Sequence, residues 1–334
     1  MTRRACAIAL SIVTALSLTG CGAANAVLGI HDPPKANPSS VPLTLDQARS
    51  ILIRDFTAAQ QGEVTTGATV QAVLRTAYAG EGLRAANARV KLAKVQPSGA
   101  VSPLLAPRQP RLLAVPRGFG YPRVILAQSV GAEGPLPILY LLTSPDAASP
   151  YRISSSATML LGASLKPLDT LAKGSPLVTD GKGLAVGPAA LLKAYALGMV
   201  FPAAKVVAKP PFVADPFFAQ VRAKGVGTAK VVAAQARFTQ VHRVLPDSVY
   251  AVRQASGDAL VFGVIERTDS FAVKSGQAVN TAANKEFVLL SGKKRVTKAA
   301  TITTLEFVVF AVPRSSGLAR LVAASEQVVA GSGA

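Results

Sequence analysis

Two series of short apolar segments, each preceded by helical stretches, set the main constraint on how this chain can fold. The first series is "RLLAVP", "YPRVILAQSV", "LPILYLLTS" and "PYRISSSATMLL", between residues 111 and 161. The second is "ARFTQVHRVL", "DSVYAVRQ", "DALVFGVIERTD", "KEFVLL", "TITTLEFVVFAV" and "LARLVAASEQVV", between 236 and 329. All are short, β-branched or alternating, and punctuated by Gly, Pro and Asp, the pattern of antiparallel strands joined by turns. Upstream of the first series, Thr44-Leu45-Asp46-Gln47 has the form of a capping box, and Leu45, Ala48, Leu52, Phe56 and Ala59 trace one helix face to about Gln61. "ATVQAVLRTAYAGEGLRAANARVKLAKV" continues as helix, with Gly80 and Gly82 weakening its middle. Upstream of the second series, Leu191, Leu192, Tyr195 and Met199 recur at helical spacing in a helix expected at 188–200, and Asp215-Pro216 places a cap before a first-turn proline.

The order predicts an α+β fold of two similar units, each made of helices followed by a curled antiparallel sheet, over residues 43–172 and 186–330. The closest internal match sets "LYLLTSPDAASPYRISSSA" (139–157) against "FVVFAVPRSSGLARLVAAS" (307–325), with Pro145 on Pro313 and Arg152 on Arg320. Units of this kind resemble cystatin-like and NTF2-like folds, which implies a concave apolar face available to a ligand or partner.

The first forty residues point to location. "MTRRACAIALSIVTALSLTGC" has a positive start at Arg3 and Arg4 and an apolar run from Ala5 to Leu18. These are the parts of a secretory signal, and a helix of this length, roughly 21 Å, is shorter than the bilayer core of about 30 Å. Leu18, Thr19, Gly20 and Cys21 resemble the lipobox of bacterial lipoprotein precursors, which implies cleavage after residue 20 and acylation of the Cys21 sulfur. Loss of residues 1–20 removes Cys6, the other cysteine, and leaves no disulfide, thiol nucleophile or cysteine-based metal site. Residues 21–42, rich in Ala, Pro, Asn and Ser, read as a disordered tether; the expected location is the extracytoplasmic face of the cell membrane.

Charge narrows the partners. With 36 Lys and Arg against 17 Asp and Glu, the chain carries a formal +19, and the excess is spread over both halves. This suits loose association with anionic lipid or wall polymer around the anchor. The densest cluster, "SGKKRVTK" at 291–298, reads first as a charged turn between strands. Nucleic acid is not an expected partner, because aromatic readers are not interleaved with the basic residues. An envelope protein is a further candidate partner.

The residue types that carry catalysis do not assemble into a known constellation. His31 lies alone in the tether, and His242 lies in a strand-like run where a packed side chain is the ordinary role; neither has a second histidine for a metal. Ser291-x-x-Lys294 and Lys274-Ser275-Gly276 occur in the wrong order for a penicillin-binding enzyme, without a helix N-terminus behind the serine. Gly181-Lys182-Gly183 does not follow a strand. Glu266 and Asp269 are expected at a solvated hairpin end. No catalytic residue, metal site or cofactor is assigned.

The motifs "LTGC", "YAGEGLRAANARVKLAKV", "YPRVILAQS", "SPYRISSSATMLLG" and "GLAVGPAALLKAYALGMVF" followed by "DPF" resemble an uncharacterised lipoprotein family of high-GC Gram-positive bacteria. That resemblance implies location and architecture and transfers no catalytic residue. The expected function is a membrane-anchored, non-catalytic binding or assembly module. The competing reading is an envelope-associated hydrolase or isomerase with dispersed groups in a cone-shaped pocket.

Overall fold

A computed structural model describes residues 39–65, 67–95, 108–118, 120–130, 136–203 and 209–334. Its first helix, α1 (Leu45–Val64), starts at the expected capping box: Gln47 N–H donates to Thr44 Oγ1 at 3.2 Å, and Thr44 N–H donates to Gln47 Oε1 at 2.8 Å. Its buried face carries Ala48, Leu52, Phe56 and Ala59. The long helix expected next is two helices, α2 (Val70–Ala77) and α3 (Gly80–Leu92), separated at Tyr78 and Ala79. The break is a pairing event: Tyr78 is extended and bridges Ile153, while Ala79 N–H donates to Ile153 O at 3.1 Å. A side chain at Gly82 would put its Cβ 2.5 Å from the Ile153 carbonyl oxygen, so this glycine lets α3 lie directly on a strand backbone.

Four strands follow: β1 (Arg108–Ala114), β2 (Arg123–Val130), β3 (Pro137–Ser144) and β4 (Arg152–Met159). After a long irregular connection come α4 (Pro188–Gly198), with Leu191, Leu192, Tyr195 and Met199 all buried, and α5 (Pro216–Val232), capped by Asp215 as expected. The second strand series is β5 (Ala236–Val244), β6 (Tyr250–Arg253), β7 (Ala259–Val273), β8 (Val279–Asn280), β9 (Arg295–Val296), β10 (Ala299–Val312) and β11 (Arg320–Gly333). Between β8 and β9, "KEFVLL" forms a helix, α6 (Lys285–Ser291), and not a strand. Asn284 Oδ1 accepts from Phe287 N–H, and Gly292 ends the helix at φ 71°, so local capping overrides the apolar run. "SGKKRVTK" therefore links a helix to a strand. Glu266 and Asp269 also depart from expectation: both lie inside the 15-residue β7, away from any hairpin end.

The chain is thus a mixed α+β fold with six helices and one large antiparallel sheet among the described residues. The sheet order is β1-β2-β3-β4-β11-β10-β7-β5, with β6 also pairing β7. The two series join where β4 meets β11, through only Met159↔Ala323 and Thr158↔Ala324. In contrast, β7 and β10 pair without interruption from Ala259↔Val312 to Ala272↔Ala299. Residues Pro38–Ala334 form one compact unit.

Alternation sorts the strand side chains into two faces. On one face, Ile125, Ala127, Ile138, Tyr140 and Leu142 pack with α1 and α2, while Val261, Ile265, Val308 and Phe310 pack with α4. On the other, Val124, Leu126, Leu139, Leu141, Phe262, Val264, Leu305, Phe307 and Val309 form one apolar interior drawn from both series. Among the described residues only Ala85 of α3 brings a helical side chain to that interior, so the two series bury one another there, with Leu165, Leu168 and Leu177 of the irregular connection alongside. The apolar face expected to be open to a ligand is filled. Each fully buried Leu or Phe in such an interior contributes about 1.5–3 kcal/mol.

Candidate functional site

Leu18, Thr19, Gly20, Cys21 and His31 lie outside the described residues. Three places gather polar side chains: two are ion clusters with buried centres, the second of them bordering an open concavity of about 860 Å³, and the third is a cleft.

Beneath α5, His242 Nδ1 stands 3.0 Å from Glu306 Oε2, and both side chains are fully buried. Arg267 Nη1 donates to Glu306 Oε1 and to Glu326 Oε2, each at 3.0 Å, and Nη2 donates to Thr304 at 3.3 Å. Asp269 Oδ2 lies 3.3 Å from Arg267 Nε, and Lys224 of α5 pairs with Glu326. The register brings these residues together: His242 opposes Arg267, Arg267 opposes Thr304, and Glu306 opposes Glu326. Burial pushes the Asp269 carboxyl above its ordinary pKa despite Arg267. Glu326 goes the other way: burial pushes up, but the hydrogen bonds and charges of Lys224 and Arg267 prevail and lower it. The histidine singled out in the sequence is thus a packed member of an ion network, its side chain fully buried.

The second place is where α1, α2, α3 and β3 meet. Tyr78 OH donates to Glu63 Oε1 at 2.8 Å, and Arg89 Nη2 donates to the same oxygen at 3.1 Å. Burial raises the Glu63 carboxyl to about 7, against the opposing pull of Arg89 and Tyr78. A raised carboxyl is a common mark of an active site. Here its side chain is only 2% exposed, its bonded oxygen is already held by two donors, and it joins the ends of three helices. Structural locking is the role this geometry supports.

The third place is open. A cleft of about 690 Å³ runs between the β1–β2 connection, the segment 177–190 and the start of β6. Its apolar wall is Pro116, Leu177, Pro188, Ala190 and Ala251. The segment is held in place by backbone bonds to both series: Arg117 N–H donates to Ser175 O, Val178 N–H to Ala251 O, and Arg253 N–H to Pro176 O. At the rim, the Arg123 guanidinium lies 4.4 Å from the centre of the Tyr121 ring, and Tyr121 is 41% exposed. Arg117 leans on Asp169 at 3.8 Å. Burial, then the nearby Asp247, raises the Tyr250 phenol. The lining thus offers guanidinium groups, phenols and one carboxylate, Asp180, without an imidazole or a second carboxylate. Such a surface can stack, hydrogen-bond and attract negative charge; it holds no general-base pair.

The sequence reading assigned none of the cleft residues to a site, although several lie in its quoted segments. The signal available was the run "PRGFGYPR" at 116–123, where two arginines flank an aromatic and Gly/Pro-rich turn between strands. Among the described residues no group of three His, Cys, Asp or Glu could hold a metal ion, and no helix is long and apolar enough to cross a membrane. Compared with known proteins, the chain matches no family model, no curated protein and no solved structure.

Proposed function

We propose that the protein is a lipoprotein held at the extracytoplasmic face of the bacterial cell membrane by acylated Cys21, and that its folded part is a non-catalytic binding module. We place it with the uncharacterised lipoproteins of high-GC Gram-positive bacteria that its motifs resemble. The lipobox supports the anchor. One observation carries the binding role: the interior between the two strand series is filled by its own side chains, while the cleft, with its apolar wall and cationic, aromatic rim, has no proton-transfer pair in its lining. A partially apolar cleft with a few placed polar groups is the usual form of a ligand or peptide site.

The same reading extends to the architecture: residues 43–172 and 186–330 are two similar units. Each supplies helices and then four main strands, and the sheet order β1-β2-β3-β4 is mirrored by β5-β7-β10-β11 from the opposite edge. The internal match that aligns Pro145 with Pro313 then aligns β3 with β10 and β4 with β11.

Mass spectrometry of the peptide that contains Cys21 tests the anchor: a diacylglyceryl adduct is expected, and an unmodified thiol in the native protein removes this reading. For the cleft, the acylated protein is used to capture proteins and lipids from its native envelope, in parallel with Tyr121→Ala. A partner retained by the native protein and lost from the variant is expected. Turnover of an envelope substrate by the purified protein, abolished by one polar substitution in the cleft, would overturn the binding-module role.

A further inference from the structure

The far end of the long strands is a separate surface. There the end of β7, the start of β10, the end of β11, the start of β5 and the last turn of α5 converge around the β8–β9 hairpin and α6. Val273 N–H donates to Lys298 O, Lys274 N–H to Gln235 O, and Thr281 N–H to Lys294 O. Phe287, Val296 and Ala300 form a small core of their own beneath it, so the end is built and not frayed. Exposed cations stand on this platform, among them Lys230, Lys274, Lys293, Lys294, Arg295 and Lys298. None forms an ion pair with a described carboxylate, and Glu286 of α6 is the nearby acid. Beside Lys230, at the end of α5, Val231 is 84% exposed.

We infer that this end of the sheet docks on the anionic headgroups of the membrane, with Val231 entering the interfacial layer among the cations. The inference rests on the membrane-attached reading above, to which it adds a second contact. Unpaired cations clustered on one end fit a polyanion of either kind, lipid surface or wall polymer. The exposed valine decides between them: an apolar side chain amid lysines gains by leaving water at a lipid interface, whereas a hydrated polymer gives it nowhere to go.

The test uses the unacylated chain from residue 22 onward, which retains the whole compact unit, and vesicles of phosphatidylcholine with or without phosphatidylglycerol. Sedimentation with the anionic vesicles is expected, but not with the neutral ones, and it should weaken steeply as salt shortens the Debye length. Replacing Lys293, Lys294, Arg295 and Lys298 by Glu should weaken binding by about a hundredfold or more, at roughly fivefold per cation. Val231→Ser should weaken it several-fold with unchanged thermal unfolding. Vesicle binding that survives the four charge reversals overturns the inference. So does binding to soluble poly(glycerol phosphate) that matches vesicle binding and ignores Val231→Ser, since the surface would then belong to a polymer. Failure of the anchor reading appears separately, in the mass of the Cys21 peptide.

Discussion

The two strand series meet the same difficulty, charge buried under helices, and meet it differently. In the first, one arginine faces one carboxylate: Arg89 and Tyr78 share a single oxygen of Glu63, whose other oxygen is buried without a partner. In the second, Arg267 stands among Glu306, Glu326 and Asp269, with Lys224 and His242 at the margins. Desolvation wins at Glu63 and pushes its pKa up to about 7; at Glu326 the added cations win and lower it. At Glu326 two cations each donate a hydrogen bond and together outweigh burial, whereas at Glu63 one guanidinium and one phenol do not.

The largest effect should come from removing the centre of the richer network. Arg267→Met leaves Glu306, fully buried, without its cation and should cost about 3–5 kcal/mol in urea unfolding. A loss under 1 kcal/mol would mean that His242 alone suffices as partner.

Next comes the pH dependence of the poorer cluster. The folded-state pKa of Glu63 lies above its unfolded value of 4.5, so the folded chain holds the proton more tightly. That contribution to stability is fully present below about pH 4.5 and is lost as pH rises through about 7, on the order of 3 kcal/mol across the window. Asp55, raised to about 6 by burial against the opposing Arg54 and Arg152, adds to the same trend. Glu326, lowered, contributes in the opposite sense and only as pH falls below about 4.5. Unfolding midpoints should therefore rise from pH 8 to pH 5, and Glu63→Gln should flatten the curve; a steeper curve in the variant would contradict the assignment.

Helix seating sharpens the comparison further. A Cβ at Gly82 meets strand backbone, whereas one at Gly225 of α5 meets the movable Gln240 side chain, each at 2.5 Å. Gly82→Ala should cost about 2–3 kcal/mol and Gly225→Ala about 1 or less, since the helix preference for alanine offsets part of it. Equal losses by thermal unfolding would show that Gln240 cannot yield. The smallest effect is expected at the exposed margin: Lys224→Ala, removing a half-exposed ion pair, should change stability by about 0–1 kcal/mol.

Much of this was legible in the sequence because it depends on local rules. The Thr44–Gln47 box, the Asp215-Pro216 cap and the buried face of α4 each follow from spacing within a turn or two. Most strands of the main sheet also appeared, since alternation survives wherever a strand has unlike faces. "KEFVLL" did not, because six apolar residues fit a strand and a buried helix equally until Asn284 and Gly292 cap them. The ion network was hidden for another reason: His242, Arg267, Glu306 and Glu326 are separated by 20 to 40 residues and meet only through register. The cleft was hidden because its walls come from both series and from an irregular segment without periodicity.

The place of β11 has a consequence in time. It is the last of the described strands in chain order, yet it lies in the middle of the sheet beside β4. Until β11 docks, β4 is an unpaired edge and the apolar side chains beside it lack their cover, so the chain is most prone to aggregate in states where every earlier strand has paired and β11 has not.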